Sequence, residues 1–191
     1  MKSIFKILTL ASLLAMYSCN DARKEQDSNE IAEEANDEKF EDNQAEKDAD
    51  FVEEVVASDY AEIKLAELAN QRSRNTEVKE IAQMLQTDHS GALNELKTLA
   101  QTKSISVPVE ETDEAKRKME DFSDDSGEDF DKKWCKEMID KHEDTIDKFE
   151  KRLENTEDAE LKAWISKMLP TLRTHHDRLK ACNEKIKDSN S

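Results

Sequence analysis

The segment TEVKEIAQMLQTDHSGALNELKTLA, residues 76–100, decides the fold because its apolar side chains repeat with the spacing of one helical face. The inward positions of this face are occupied by Val78, Ile81, Leu85, His89, Ala92, Leu96 and Leu99. His89 therefore stands where a core residue is expected. A buried imidazole is stable only with a polar partner, so the segment predicts that other helices bring polar groups to the same place.

Three further segments repeat the helical pattern, and the composition of two Gly, two Pro and 39% charged residues leaves little material for the turns of a sheet. Helices are predicted over about 49–71, 76–102 and 128–154, with a last one after a short turn. Short turns at 75–76 and after 154 make two hairpins, joined by a long connection over 103–127. The predicted fold is all-α, an antiparallel four-helix bundle. The long connection leaves crossover and up-and-down topologies open.

Each of the other three helices carries a polar residue in an inward position: Glu62, His142 and His175. In an antiparallel hairpin, residues at one height have numbers with a constant sum. The register that pairs Glu62 with His89 also pairs Val55 with Leu96, which are both apolar. The register that pairs His142 with His175 likewise pairs Phe149 with Met168 and Cys135 with Cys182. One Glu and three His are thus predicted at a common height, with Asp59 one turn away.

Imidazoles and a carboxylate inside a bundle are ligands for zinc, iron, manganese or copper. A di-iron site would need Glu three residues before His on two helices, and those positions hold Gln86, Ile139 and Leu172. The pattern therefore predicts a single transition-metal ion held by Glu62, His89, His142 and His175. The alternative is a metal-free buried network in which Glu62 bridges the histidines. Neither interpretation includes catalytic residues, so an enzyme is not expected.

The first 18 residues have the features of an export signal, with Lys2 and Lys6 before an apolar run and Ser18 before Cys19. The stretch LAMYSC, 14–19, resembles a bacterial lipobox, which predicts cleavage before Cys19 and a lipid on that cysteine. Residues 19–48 are strongly acidic and nearly lack large apolar groups, so they are predicted to be a tether. The folded domain is predicted over 49–188.

Export leaves two cysteines once Cys19 carries lipid, and these are Cys135 and Cys182, which the second register places at one height. An oxidising compartment favours a disulfide bond between them. The alternative is two buried free thiols, which behave as small apolar side chains.

The chain has 46 acidic and 29 basic residues, a net charge of −17. Such a surface repels phosphate backbones, so nucleic acid is excluded as an expected partner, whereas cations are attracted. The expected partner is a membrane, reached through the lipid anchor. The sequence does not identify a protein partner.

Several short motifs between about 51 and 180 resemble a ferritin-like family of bacterial envelope proteins, catalogued as domain of unknown function forty-one forty-two. They are FV at 51–52, AEI at 61–63, TDH at 87–89, MIDKH at 138–142, FE at 149–150, ELKA at 160–163 and LPTL at 169–172, followed by His175. Lys141 stands where the family usually has Asp. The resemblance implies a ferritin-like fold and a location at the outer membrane, and with the lipid predicted on Cys19 the domain would face the periplasm or the cell surface. A structural or stress-related interaction lipoprotein, with the bundle as a scaffold, is the alternative function.

Overall fold

The computed structural model describes residues 27–40, 43–122 and 125–188. This part of the chain contains no strand and six helices: α1 (Ser28–Asp37), α2 (Asn43–Arg72), α3 (Thr76–Lys103), α4 (Asp113–Glu120), α5 (Gly127–Asn155) and α6 (Ala159–Asp188). The prediction of an all-helical protein is confirmed. Among the described residues, none of the helices combines the length and apolar character that crossing a bilayer requires.

The short turn between α2 and α3 is closed by side chains that cap the following helix. Asn75 Oδ1 accepts hydrogen bonds from the backbone N–H of Glu77 at 2.9 Å and of Val78 at 3.4 Å. These are two of the donors that the first turn of a helix leaves without partners. Because the turn is so short, α3 runs back along α2, and the two helices form the first hairpin.

The second hairpin, α5 and α6, is closed in the same way. Asp158 Oδ1 accepts from the backbone N–H of Glu160 at 3.0 Å and of Leu161 at 2.9 Å. The helix that follows continues through Pro170 to Asp188. Proline cannot donate a backbone hydrogen bond, but here it does not end the helix, because both flanks pack against the core.

The two hairpins pack so that α2 lies beside α5, and α3 lies beside α6. Phe51 near the start of α2 contacts Phe149 near the end of α5, with ring centroids 5.1 Å apart. Lys185 near the end of α6 forms a 2.7 Å ion pair with Glu77 at the start of α3. All neighbouring long helices are therefore antiparallel, and α3 and α5 are parallel. Because α3 and α5 are parallel, the connection between them runs back along the length of the bundle. This arrangement is the crossover topology rather than the up-and-down one.

The core consists of two apolar clusters on either side of a polar layer. The first includes Phe51, Val52, Leu96, Phe149, Trp164 and Leu172. The second includes Leu65, Ile81, Leu85, Trp134, Met138 and Leu179. In the second cluster the indole N–H of Trp134 donates to the carbonyl oxygen of Leu65 at 2.9 Å, which joins α5 to α2. The polar layer between these clusters contains the predicted site.

Part of the predicted tether is folded, which corrects the expectation for residues 19–48. Helix α1 packs on α2, with Ala32 and Asn36 buried. The Asn36 amide donates to the carbonyl oxygen of Ser106 at 2.9 Å, and its oxygen accepts from the Ser106 N–H at 2.7 Å. A short polar helix is stable here because one buried amide is fully paired with backbone 70 residues away. Helix α2 also begins earlier than predicted, at Asn43 rather than near Ala49.

The two cysteines predicted to form a disulfide bond lie together, as the register indicates, but as free thiols. Both are buried in the second apolar cluster. The Cys135 thiol donates a hydrogen bond to the Cys182 sulfur, and this bond together with burial raises the pKa of Cys135. In this structure the two cysteines are free thiols in contact, which behave as small apolar side chains, and the disulfide bond stays a prediction.

Candidate metal centre

The polar layer of the core contains one residue from each of the four long helices: Glu62 from α2, His89 from α3, His142 from α5 and His175 from α6. None of the four is more than 4% exposed. The centroids of the three imidazole rings are 5.4 to 5.5 Å apart. One nitrogen from each ring can be chosen so that all three lie within 4.8 Å of one another. The structure thus brings together all four residues that the sequence predicts to meet.

Glu62 lies against two of the three imidazoles. Its Oε2 atom is 3.2 Å from His89 Nε2 and 3.6 Å from His142 Nδ1. Its other oxygen, Oε1, accepts a 3.1 Å hydrogen bond from the Ser58 hydroxyl, one turn earlier on α2. Burial opposes the charge on this carboxyl, but the neighbouring His89 and His142 outweigh it and lower the pKa of Glu62. The carboxylate is therefore available as an anionic ligand.

Each histidine has one ring nitrogen in contact with an acceptor outside the central space. His89 Nδ1 is 2.8 Å from Asp59 Oδ1, one turn from Glu62 on α2. His142 Nδ1 is 2.8 Å from the carbonyl oxygen of Met138. Carboxylates and carbonyl oxygens only accept hydrogen bonds, so each of these nitrogens carries the proton.

The four residues Glu62, His89, His142 and His175 are called the cluster below. His175 is held from the α3 side of this cluster. Its Nε2 atom is 2.9 Å from Asp88 Oδ2, which reaches it from α3. The outer nitrogen again carries the proton, so Nδ1 of His175 presents a lone pair to the interior. The atom that faces His175 Nδ1 is His142 Nε2, 3.3 Å away, and this nitrogen also presents a lone pair. Two ligands bound at 2.0–2.1 Å in a tetrahedral site would lie about 3.3 Å apart.

The charge states of the rings support this assignment. Burial lowers the pKa of His175 to about 4, and burial also lowers the pKa of His142, so both rings are neutral near pH 7. Neutral imidazole is the form that binds metal. Burial opposes charge on His89 as well, but Glu62 and Asp59 overcome it and raise its pKa to about 9. A metal ion would take the place of the proton on His89 Nε2.

Three buried polar atoms that face the cluster have no aligned hydrogen-bond partner: Asp59 Oδ2, Glu62 Oε2 and His89 Nε2. A cavity of about 20 Å³ adjoins these residues. That volume is enough for one water molecule or one ion. The three imidazole nitrogens that lie within 4.8 Å of one another are donors of the kind that transition metals bind, and the Glu62 carboxylate lies beside two of the three rings.

Sequence patterns pointed to the four central residues and to Asp59, but not to Asp88 or Ser58. Asp88 precedes an inward residue and would be expected to face away from the core. Its side chain is 40% exposed and reaches His175 on the neighbouring helix. Ser58 could have been found from its position one turn before Glu62. His176 remains outside the cluster, and Cys19 lies outside the described residues.

The fold and the buried histidine cluster define an all-helical bundle with a candidate metal centre. The chain belongs to the family described as Domain of unknown function (DUF4142), whose profile matches residues 32–182. A solved structure described as CopM in the Cu(II)-bound form is similar, with a TM-score of 0.59 and 18% sequence identity. The match covers 72% of this chain and 96% of that chain. No curated protein sequence matches this chain significantly.

Proposed function

We propose that this protein is a ferritin-like, antiparallel four-helix-bundle lipoprotein of the cell envelope that binds one transition-metal ion through Glu62, His89, His142 and His175. The lipid on Cys19 attaches it to the outer membrane, with the domain in the periplasm or on the cell surface. The protein acts as a metal-binding protein rather than as an enzyme, and nucleic acid is not a partner.

One observation carries the proposal: the short contact between His142 Nε2 and His175 Nδ1. The N–H of each ring donates a hydrogen bond to an acceptor outside the contact, and both rings are neutral near pH 7. No proton remains for the contact, so two lone pairs face each other in a buried space. Such an arrangement is unfavourable without a cation and favourable with one.

Copper and zinc are the ions that the ligand set favours. Imidazole suits zinc, copper, iron and nickel, and Cu(II) binds most tightly among the divalent ions of the first transition row. The Cu(II)-bound state of CopM, which shares the fold, is consistent with this choice. The net charge of −17 raises the local concentration of any cation around the domain.

The test is the metal content of the purified protein after loading with Cu(II) or Zn(II) and removal of excess ion. We expect about one ion per chain, and for Cu(II) an electron paramagnetic resonance spectrum with hyperfine coupling to imidazole nitrogen. His142→Phe keeps a ring of similar size but removes both nitrogens, so it should abolish the stoichiometric ion. His176→Phe changes the neighbouring histidine that lies outside the cluster and should leave the metal content unchanged.

The raised pKa of His89 favours a second candidate, a structural scaffold with a metal-free network. An imidazolium on His89 lies between Asp59 and Glu62, and this charged group could hold the helices in register. In that case the wild type would remain folded and free of metal after loading. Folding is monitored by circular dichroism in every variant, so loss of metal and loss of structure are separated.

A further inference from the structure

We propose that the metal ion reaches the buried cluster through the seam between α2 and α5, past Ser58 and Thr145, and that Lys141 at the outer end of this seam slows its uptake. This inference rests on the proposed metal-binding function. It concerns the rate of binding, whereas the proposed function concerns binding at equilibrium.

The small cavity beside the cluster shares its wall with the outer surface at the α2–α5 seam. Ser58, Val55 and Thr145 line the cavity on its inner side. The same three residues line an open groove of about 360 Å³ on the surface of this seam. Ser58 also borders a second surface groove of about 370 Å³ next to it. A single layer of side chains therefore separates solvent from the cluster at this position.

The residues that line both the cavity and the groove are Val55, Ser58, Thr145 and Phe149, and the path follows the two small polar ones, Ser58 and Thr145. Ala57 and Ala61 flank Ser58 along the second groove. Ser58 and Thr145 are half-buried, and the Ser58 hydroxyl donates to Glu62 Oε1 at 3.1 Å. An ion that arrives at Ser58 therefore has the Glu62 carboxylate as its first ligand. Rotation of two short side chains would open the path, whereas larger residues would require the helices to separate.

The other directions are closed by larger groups. On the α3–α6 side, Trp164, Met168 and Leu172 form the wall of the cavity, and Asp88, which also lines it, is held by the His175 ring at 2.9 Å. Along the bundle axis, the two apolar clusters cover the site on both sides. An ion approaching from those directions would cross apolar core or displace a ligand.

Acidic and basic side chains both line the outer end of the seam, and their charges allow a second test of the path. Asp144 and Asp147 line the groove of about 360 Å³, and they attract cations. Lys141 borders both grooves, and its ammonium acts on the Glu62 carboxylate. A fixed positive charge beside the path lowers the local concentration of a cation and slows its arrival.

The experiment follows Cu(II) binding to the full-length protein by stopped-flow quenching of tryptophan fluorescence, since Trp164 lines the cavity. Ser58→Leu should slow uptake about tenfold or more, because the bulkier side chain requires the helices to open. Ser58→Ala removes the hydrogen bond without filling the path and should not slow uptake. Ser166→Leu makes the same exchange at an exposed site on α6 and serves as the matched control.

Lys141→Gln tests the path without adding bulk. Uptake should become about twofold to fivefold faster at low salt, and the gain should disappear at high salt. Lys167→Gln removes a lysine on the opposite side, where it pairs with Glu95 at 2.7 Å, and should leave the rate unchanged.

The final amount of bound metal distinguishes the two proposals. A wild type that binds no ion would overturn the proposed function itself. A wild type that binds one ion, together with equal uptake rates in wild type, Ser58→Leu and Lys141→Gln, would overturn the proposed path alone. Slowing by Ser166→Leu to the same degree as Ser58→Leu would also overturn it.

Discussion

At the scale of single residues, the site depends on which nitrogen of each imidazole faces the interior. Asp59, the Met138 carbonyl and Asp88 each accept a hydrogen bond from one ring N–H, so the N–H of each imidazole points away from the centre of the cluster. Acceptors of this kind orient the ring and increase the basicity of the nitrogen that binds the ion. Asp88 is the most informative of the three, because its side chain is partly exposed and can be changed with little effect on packing.

Asp88→Asn should weaken metal binding by about 10-fold to 100-fold. The amide oxygen is a weaker acceptor than the carboxylate, so the His175 tautomer with a free Nδ1 is less favoured. The free energy of unfolding without metal should change by less than about 1 kcal/mol, because the contact is partly exposed. Competition with a chelator of known affinity measures the binding constant. Asp177→Asn, at an exposed neighbouring position, is the control, and equal affinities of wild type and Asp88→Asn would refute the orienting role.

At the scale of helices, the docking of α1 on α2 covers one carboxyl group. Glu53 on α2 is 3% exposed, and its Oε2 accepts a 3.3 Å hydrogen bond from the Asn36 amide of α1. Burial is the main cause that raises the pKa of Glu53 to about 7, with nearby acids adding to it and the Asn36 hydrogen bond opposing it. The folded protein therefore holds a proton on Glu53 that the unfolded chain loses near pH 4.5.

A carboxyl whose pKa is raised on folding lowers stability as the pH rises from the unfolded value towards the folded one. Glu53 should thus cost stability between about pH 4.5 and pH 7, and the loss should remain above pH 7. Glu53→Gln keeps a hydrogen-bond acceptor without this charge. We expect it to be about 1–2 kcal/mol more stable than wild type at pH 8 and nearly equal at pH 4.5.

Urea unfolding with a metal chelator at both pH values measures this difference. Glu80→Gln, an exposed change on α3, corrects for the loss of one surface charge. If Glu53→Gln and wild type keep the same stability difference at both pH values, the pKa of Glu53 is not raised by burial.

At the scale of the whole molecule, an acidic helical domain follows an acidic segment and a predicted lipid anchor. Most of the charged surface has a general role, because repulsion between like charges keeps proteins soluble. Helix α1 lies within this acidic segment and packs on α2. The predicted anchor at Cys19 is separate in sequence from the candidate metal centre, so the two can be tested independently.

Radiolabelled fatty acid should enter the wild-type protein in cells and should not enter Cys19→Ala, because the thiol of Cys19 is the predicted attachment point. Immunoprecipitation followed by autoradiography measures the incorporation. Cys135→Ala is the control for loss of a cysteine elsewhere and should be labelled like the wild type. Equal labelling of Cys19→Ala would remove the lipid anchor from the proposed function.

The sequence by itself determined the four long helices and which face of each is buried. It also determined the pairing of Glu62 with His89 and of His142 with His175. These features depend on helical periodicity and on short turns, which restrict each hairpin to one register. Both pairs are in close contact in the structure, at 3.2 Å and 3.3 Å. Local patterns were sufficient because each pair lies within one hairpin.

Only the tertiary structure decided how the two hairpins combine. The crossover arrangement, the contact of Asp88 with His175 and the docking of Asn36 on Ser106 join residues that are 70 or more positions apart. Such contacts depend on how whole helices pack and on which way single side chains turn, and helical periodicity carries no information about either. The register of the second hairpin placed Cys135 and Cys182 at one height, and the structure brings them together as free thiols.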